Sequence, residues 1–256
     1  MMNQIVIWND LRLFYGKNPR AVTEHSHPIV QFVLALQENF LSKDQSGQWI
    51  KKKGLLIAPN HFHECDANNI PILSIDIDPE SNLGEWILIN QLKNEKIIDY
   101  PSDKLAQVNI EELGLHINNE DWEELRALIE KTFFFQKTFE ASERDERIEK
   151  IIQYISQEIH HDITTEKLVD VACLSESRLL HLFKEKMGLP IRNYILWYRL
   201  KIVMHEVLKG NSLTEASHLA GFADQAHMTR TFTKMTGIPP SILSKNSKFI
   251  QVSFPR

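Results

Sequence analysis

Cysteine is nearly absent from this 256-residue chain: Cys65 and Cys173 stand alone. Without CxxC spacing there is no thiolate zinc motif, and two isolated thiols make no disulfide framework, which fits a reducing compartment. Long apolar runs are missing too, since none approaches the roughly 20 residues that a membrane span requires. The opening MMNQIVIWND lacks a basic stretch followed by an apolar one. No export signal is read there, and a cytoplasmic protein with no membrane partner is expected. An overall excess of positive charge is also lacking, because the formal net charge is −5. That deficit is local. Residues 1–142 hold 13 Lys and Arg against 21 Asp and Glu, whereas residues 163–256 hold 13 against 7. An acidic module joined to a basic one confines phosphate contact to the C-terminal part. The length allows two domains, each able to bury its own core.

What the chain does contain is a repeat. TTEKLVDVACLSESRLLHLFKEKMGLP, from Thr164, and SLTEASHLAGFADQAHMTRTFTKMTGIPP, from Ser212, follow one pattern. Phe183 and Phe232 lie 49 apart, as do Gly188 and Gly237, and Pro190 and Pro239. Ala172 and Ala220 lie 48 apart, so the second copy carries one extra residue in its turn. Each copy predicts a helix-turn-helix, over 163–188 and 212–237. A short apolar-periodic helix runs into a tight turn at Cys173 or Gly221, where glycine suits a positive φ and cysteine fits less easily. Ser175 or Asp224 then caps a second helix, which buries Leu179, Leu182 and Phe183, or Met228 and Phe232. Gly188 and Gly237 end these helices, with Pro190 and Pro239 preventing continuation.

The remaining face of each second helix is polar. It carries Ser177, Arg178, Leu180, His181 and Lys184 in one copy. In the other it carries Gln225, Ala226, His227, Thr229, Arg230, Thr233 and Lys234. A helix lying in the major groove of DNA reads base edges from its N-terminal turns. Ser177 and His181 form an i, i+4 pair there, and the repeat maps it onto Ala226 and Arg230. Arg230 suits guanine O6 and N7, Gln225 suits adenine, and Leu180 and Ala226 suit thymine methyls; Lys184 and Lys234 suit phosphate. Two ordinary helical hairpins with solvated faces are the plain alternative, but they have no reason to repeat in one register. The stretch PIRNYILWYRLKIVMHEVLKG predicts a linking helix over 190–209, about 30 Å long. Successive major grooves recur about every 34 Å on one side of B-DNA, so such a rod sets two helices into neighbouring grooves.

Residues 148–243 resemble the DNA-binding domain of the AraC/XylS family of bacterial transcription regulators. The resemblance rests on SESRLLHLFKEKMGLP, on YRL in the linking helix and on AGFADQAHMTRTFTKMTGIPPS. Thr233 departs from it, standing where the family usually has Lys, with Lys234 directly after. The resemblance implies promoter or operator duplex DNA as partner, RNA polymerase as a second, a homodimer, and transcription regulation with no catalysis; whether the protein is an activator or a repressor stays open.

From Gln4 to Asp78 the chain reads as short strands: QIVIW, LRLFYG, PIVQFVLALQENFLS, QWIK, GLLIAPN, HFHECD and PILSIDID. Strands without intervening helices argue for a barrel or sandwich. GLLIAPNHFH and HSH resemble the cupin barrel that commonly precedes this DNA-binding domain in the family. In a cupin two His on one strand, a nearby carboxylate and a later His converge on a metal. The matching positions are His25, His27, Gln31 and His63, and the neutral Gln31 deprives a cation of its anionic ligand. Alternation places His25 and His27 on one face of a strand, and His61, His63 and Cys65 on one face of another. Metal site, organic-effector pocket and plain packing all stay open for these histidines. Within the family such barrels mostly sense small effectors, so no cofactor and no resident metal is expected.

Beyond Pro79 the pattern turns helical, first over 85–94 and then over 118–140. There Asn119 or Asp121 serves as cap and Trp122, Leu125, Leu128, Ile129 and Phe133 follow at helical spacing. The FFF at 133–135 is apolar on more than one face and suggests dimerisation. Ile148, Ile151, Ile152, Ile155 and Ile159 open the next domain, and the tail after Leu243 is uninformative. The expected fold is α+β in two domains, with a cupin-like β-barrel over 1–80 and a helical extension over 81–140. A linker over 141–147 leads to an all-α domain over 148–245 with two helix-turn-helix motifs. The rival is a metal-dependent cupin enzyme carrying a DNA-binding appendage.

Overall fold

The computed structural model describes residues 3–18, 21–44, 46–101, 105, 108–134, 145–245 and 250–253. The chain divides into two compact units. One comprises Met1–Glu24, Ile29–Ala141 and Phe249–Arg256, the other His25–Pro28 and Ser142–Lys248.

The strands are β1 (Asn3–Ile7), β2 (Leu11–Lys17), β3 (Val22–His25), β4 (Val30–Ala35), β5 (Phe40–Lys43), β6 (Trp49–Lys52), β7 (Gly54–Ile57), β8 (His63–Asp66), β9 (Pro71–Ile77), β10 (Ile97–Asp99) and β11 (Ile250–Ser253). They form a seven-stranded sheet, ordered β10-β7-β4-β9-β2-β1-β11, and a four-stranded sheet, ordered β3-β8-β5-β6. Burial alternates along β2 and β9, so Leu13, Tyr15, Leu73 and Ile75 share one face. That face packs against Ile87, Leu113 and Leu125 of the trailing helices. The opposite face presents Val33, Ala35, Leu55 and Ile57, which meet Phe40 of the smaller sheet. A period of two in the sequence therefore divides one sheet between two apolar partners.

Three departures from expectation have local causes. The run 28–42 breaks into β4 and β5 around exposed Gln37, Glu38 and Asn39, a polar turn. A helix absent from the expectation, α2 (Ile110–Asn119), follows α1 (Asn82–Ile87); the Asn109 side chain accepts from the Glu112 N–H and caps it. The next helix consequently starts later than 118, as α3 (Trp122–Ile129), with Asp121 at its cap position. It continues as a wide turn over Glu130–Phe134, where the Phe133 carbonyl accepts from the Tyr100 hydroxyl and the Gln91 amide. Residues 135–140 lie outside the described residues, and with them the last Phe of the FFF run.

An ion pair ties α3 back to the first strands. Arg126 donates to both carboxylate oxygens of Asp10, at 2.6 and 2.9 Å, and to Glu130 at 2.6 Å. Burial pushes the Asp10 carboxyl up, but the hydrogen bond and charge of Arg126 outweigh it and hold the group below the usual range. A depressed folded-state pKa stabilises above the unfolded value of about 3.9 and ceases to do so as pH falls through the folded value. Asp10→Asn should therefore lower the melting temperature at pH 7, and the gap from the unmodified chain should close below about pH 4. A gap that persists at pH 2 would show that the pair's charge does not matter.

In the second unit α4 (Glu146–Glu158) starts at the Asp145 cap, so only residues 145–147 of the expected linker are described. Its Ile148, Ile151 and Ile155 pack with Leu168, Leu182 and Phe183. Then come α5 (Thr165–Ala172), α6 (Glu176–Met187), α7 (Ile191–Leu208), α8 (Leu213–Leu219), α9 (Gln225–Thr236) and α10 (Ser241–Lys245). The tail, uninformative as sequence, supplies β11, which runs parallel to β1 from Ile250 opposite Asn3. Among the described residues no helix is long and apolar enough to cross a membrane.

Candidate nucleic-acid interface

Both halves of the repeat are built by the same local devices. α5 ends at Cys173 with φ 51, and the turn after α8 places Gly221 at φ 78. Both are left-handed conformations, which cysteine adopts at a cost that glycine avoids. Ser175 accepts from the Arg178 N–H and Asp224 from the His227 N–H, starting α6 and α9 at matching positions. Gly188 and Gly237, at φ 72 and 70, end them. α7 joins the halves with 18 residues, about 27 Å of helix. It is capped by Pro190 in place of a side-chain acceptor.

On α6, Ser177, Arg178, Leu180, His181 and Lys184 are all exposed. Leu180 is 40% exposed beside buried Leu179. His181 Nδ1 lies 3.7 Å from a Glu185 oxygen, an i, i+4 pair that is ionic only when the imidazole is protonated. On α9, Gln225, Ala226, Arg230 and Lys234 are exposed, whereas His227 and Thr229 are half-buried. His227 stands edge-on to Phe222, ring centroids 5.5 Å apart, which turns it partly toward the domain. The Thr214 hydroxyl donates to Gln225 Oε1 at 2.7 Å. That bond fixes the amide's orientation and leaves its NH2 and one lone pair for a base edge. Thr214 was invisible to the sequence reading because it lies on the neighbouring helix, off the repeat's polar face.

The barrel candidates are placed differently from the strand reading. β3 ends at His25, and His27 lies beyond it, just before the bend at Pro28, so the two are not alternate residues of one strand. Pro28 lacks an N–H and restricts the residue before it, which explains the break. Both rings are buried, with centroids 5.3 Å apart and planes tilted by 58°. Likewise β8 begins at His63, and His61 lies outside it. Buried His63 donates through Nδ1 to the His61 carbonyl at 2.9 Å. Gln31 donates to Asp76 Oδ1 at 3.1 Å and faces the Ser74 hydroxyl at 3.4 Å. Arg12 adds an ion pair to Asp78 at 3.5 Å and a longer one to Asp76 at 4.0 Å. Burial raises the Asp76 carboxyl above its ordinary range, against the opposing pull of Arg12 and Gln31. Arg12 and Asp76 were missed because charged residues in a strand read by default as its solvated face. Cys65, on β8, is inert: burial pushes its thiol up to about 11.

Comparison with known proteins follows the same division. The family described as a helix-turn-helix domain matches residues 168–246. "Probable transcriptional regulator LumQ" of Photobacterium leiognathi is 22% identical over 240 residues, covering 87% of this chain and 92% of its own. The "Arabinose operon regulatory protein" of Salmonella typhimurium is 32% identical over 103 residues, covering 38% of this chain and 35% of its own. The crystal structure of ToxT from Vibrio cholerae matches with a TM-score of 0.59 at 12% identity, over 92% of this chain and 96% of its own. A ToxT structure described as unsaturated fatty acid bound gives 0.56 at 10% identity, over 92% and 95%. At such identities the two ToxT structures speak for the fold alone.

Proposed function

We propose that this chain is a helix-turn-helix transcription regulator of the AraC/XylS type, and that α6 and α9 read base edges in consecutive major grooves of one operator. The observation that carries the reading is the pair of recognition helices, alike in cap, buried face and C-terminal glycine, joined by one helix of near-groove spacing. Arg230 and His181 are the leading base contacts, followed by Ser177 and Gln225, with Leu180 and Ala226 against thymine methyls. Arg178, Lys184 and Lys234 meet phosphate, and half-buried His227 and Thr229 flank the α9 contact. Selection of bound duplexes from a random pool tests this directly. Two enriched half-sites about one helical turn apart are expected; a single half-site, or no enrichment, overturns it.

Phosphate contacts have a separate signature. Lys184→Ala and Lys234→Ala should each weaken binding about equally on all sequences and reduce the slope of log K against log salt by roughly 1. An unchanged slope in both variants would remove them from the interface.

The N-terminal unit serves, on this reading, as a cytoplasmic regulator's sensor of a small effector and as its dimerisation module, through which RNA polymerase recruitment is controlled. Gln31, Arg12, Asp76 and His63 are the proposed pocket residues of that unit. Unsaturated fatty acid is the first effector class to test, because a ToxT structure is described with one. Palmitoleate should raise the melting temperature and shift operator affinity; no change in either discards that class. Catalysis is not proposed. Stoichiometric iron, nickel or manganese in the purified protein, lost in His27→Ala and His63→Ala, would reinstate the enzyme reading.

A further inference from the structure

The segment that precedes the first helix-turn-helix motif reaches the linking helix and the end of α8 in the second. Arg199, midway along α7, donates through Nε to the Ile159 carbonyl at 3.3 Å and through its terminal nitrogen to the His161 carbonyl at 2.9 Å. Those carbonyls sit at the C-terminal exit of α4, where main-chain acceptors lack helical partners and the helix dipole favours a cation. His160, between them, has Nδ1 within hydrogen-bonding distance of the Leu219 carbonyl at the end of α8. A carbonyl only accepts, so the ring proton belongs on Nδ1. Two residues on, Gly221 packs into the same place. A Cβ there would stand 2.5 Å from the Ile159 carbonyl oxygen and 3.3 Å from Arg199 Nε. The glycine is therefore required twice, by its φ of +78 and by the approach of foreign backbone. Three segments converge here: the end of the helix that supports the first motif, the linking helix, and the turn that aims α9.

We propose that this Arg199–His160–Gly221 junction fixes α9 relative to α6 and so makes the protein select operators by the number of base pairs between their two half-sites. The linking helix sets a distance and packs against α8 and α9, and the junction adds a hydrogen-bonded tie to α4 outside that packing. The junction resists rotation of the second motif, because Arg199 ties the exit of α4 to α7 and His160 ties that exit to the end of α8, beside the turn preceding α9. Inserting two base pairs rotates the second half-site by about 70°, a change that a fixed pair of helices cannot follow and a pivoting pair partly can. Arg199 is here a positioning residue that acts through backbone carbonyls, not a base contact. The inference rests on the proposed two-groove reading.

The test uses the full chain and labelled duplexes carrying the selected operator, with one or two base pairs inserted or deleted between half-sites, read by fluorescence anisotropy. The unmodified chain should prefer the selected spacing by more than about tenfold, and Arg199→Ala should narrow that preference to within about threefold. Binding to a duplex with only the α9 half-site, and the helical circular-dichroism signal, should stay near the unmodified values. Arg199→Lys keeps the charge without the fork and should recover part of the discrimination. His160→Ala, at an exposed ring, gives a second handle that spares the core should Arg199→Ala fold poorly; it too should flatten the preference. Spacing discrimination that survives intact in His160→Ala or in folded Arg199→Ala overturns the proposal. An unmodified chain that binds one half-site only, at any spacing, sinks the two-groove reading itself and this inference with it.

Discussion

Arg230→Ala is expected to lower affinity for the selected operator by about 1–3 kcal/mol, roughly 5- to 150-fold, and to abolish preference at a single base pair. Arg230 is exposed on α9, one turn beyond Ala226, on the face proposed to enter a groove. A guanidinium meets guanine O6 and N7 with two parallel donors, and no other base offers that pair of acceptors. Removing the fork leaves the guanine acceptors without partners, which a uniform phosphate contact would not do. Repeating the selection with the variant is the decisive measurement: degeneracy at one position with the rest of the motif intact is expected. Equal weakening on every sequence would move Arg230 to the backbone and leave Gln225 as the main reader in the second half-site.

Phe183→Ala costs about 3–5 kcal/mol of stability in the DNA-binding unit. Phe183 is fully buried and packs edge-on to Tyr194, ring centroids 5.4 Å apart, in the cluster that joins α4, α5 and α6. Truncation opens a cavity on the far side of the recognition face, so the polar residues of α6 lose their support without being touched. The melting temperature should fall by at least roughly 10 °C, the scale of such a loss in a domain of this size. Ser177→Ala, two turns away and exposed, should leave it within about 2 °C while still weakening DNA binding, since surface changes rarely exceed about 0.5 kcal/mol. A small thermal shift in Phe183→Ala would mean that the first motif is not held by this cluster.

The recognition helices were legible because every device that makes them is local. Ser175 and Asp224 cap within three residues, Gly188 and Gly237 terminate within one, and the buried side recurs at three- and four-residue intervals. A duplicated copy of that grammar left little freedom in where the exposed face would fall. The helix at Ile110 was equally local in its signal, carried by Asn109 and Glu112, but short and unrepeated, so it passed unread.

The sequence alone thus determined the two exposed polar helix faces, their caps and the alternation along β2 and β9, since each follows from contacts among near neighbours along the chain. Tertiary structure decided which distant parts close on one another: Arg126 on Asp10 across 116 residues, the tail strand on β1, and His160 on Leu219 across 59. Nothing in a helix or strand period specifies such pairs, because many closures of the chain satisfy the same local pattern. Their choice comes from the packing and hydrogen bonding of the assembled unit, which is also where the proposed aim of the second recognition helix is set.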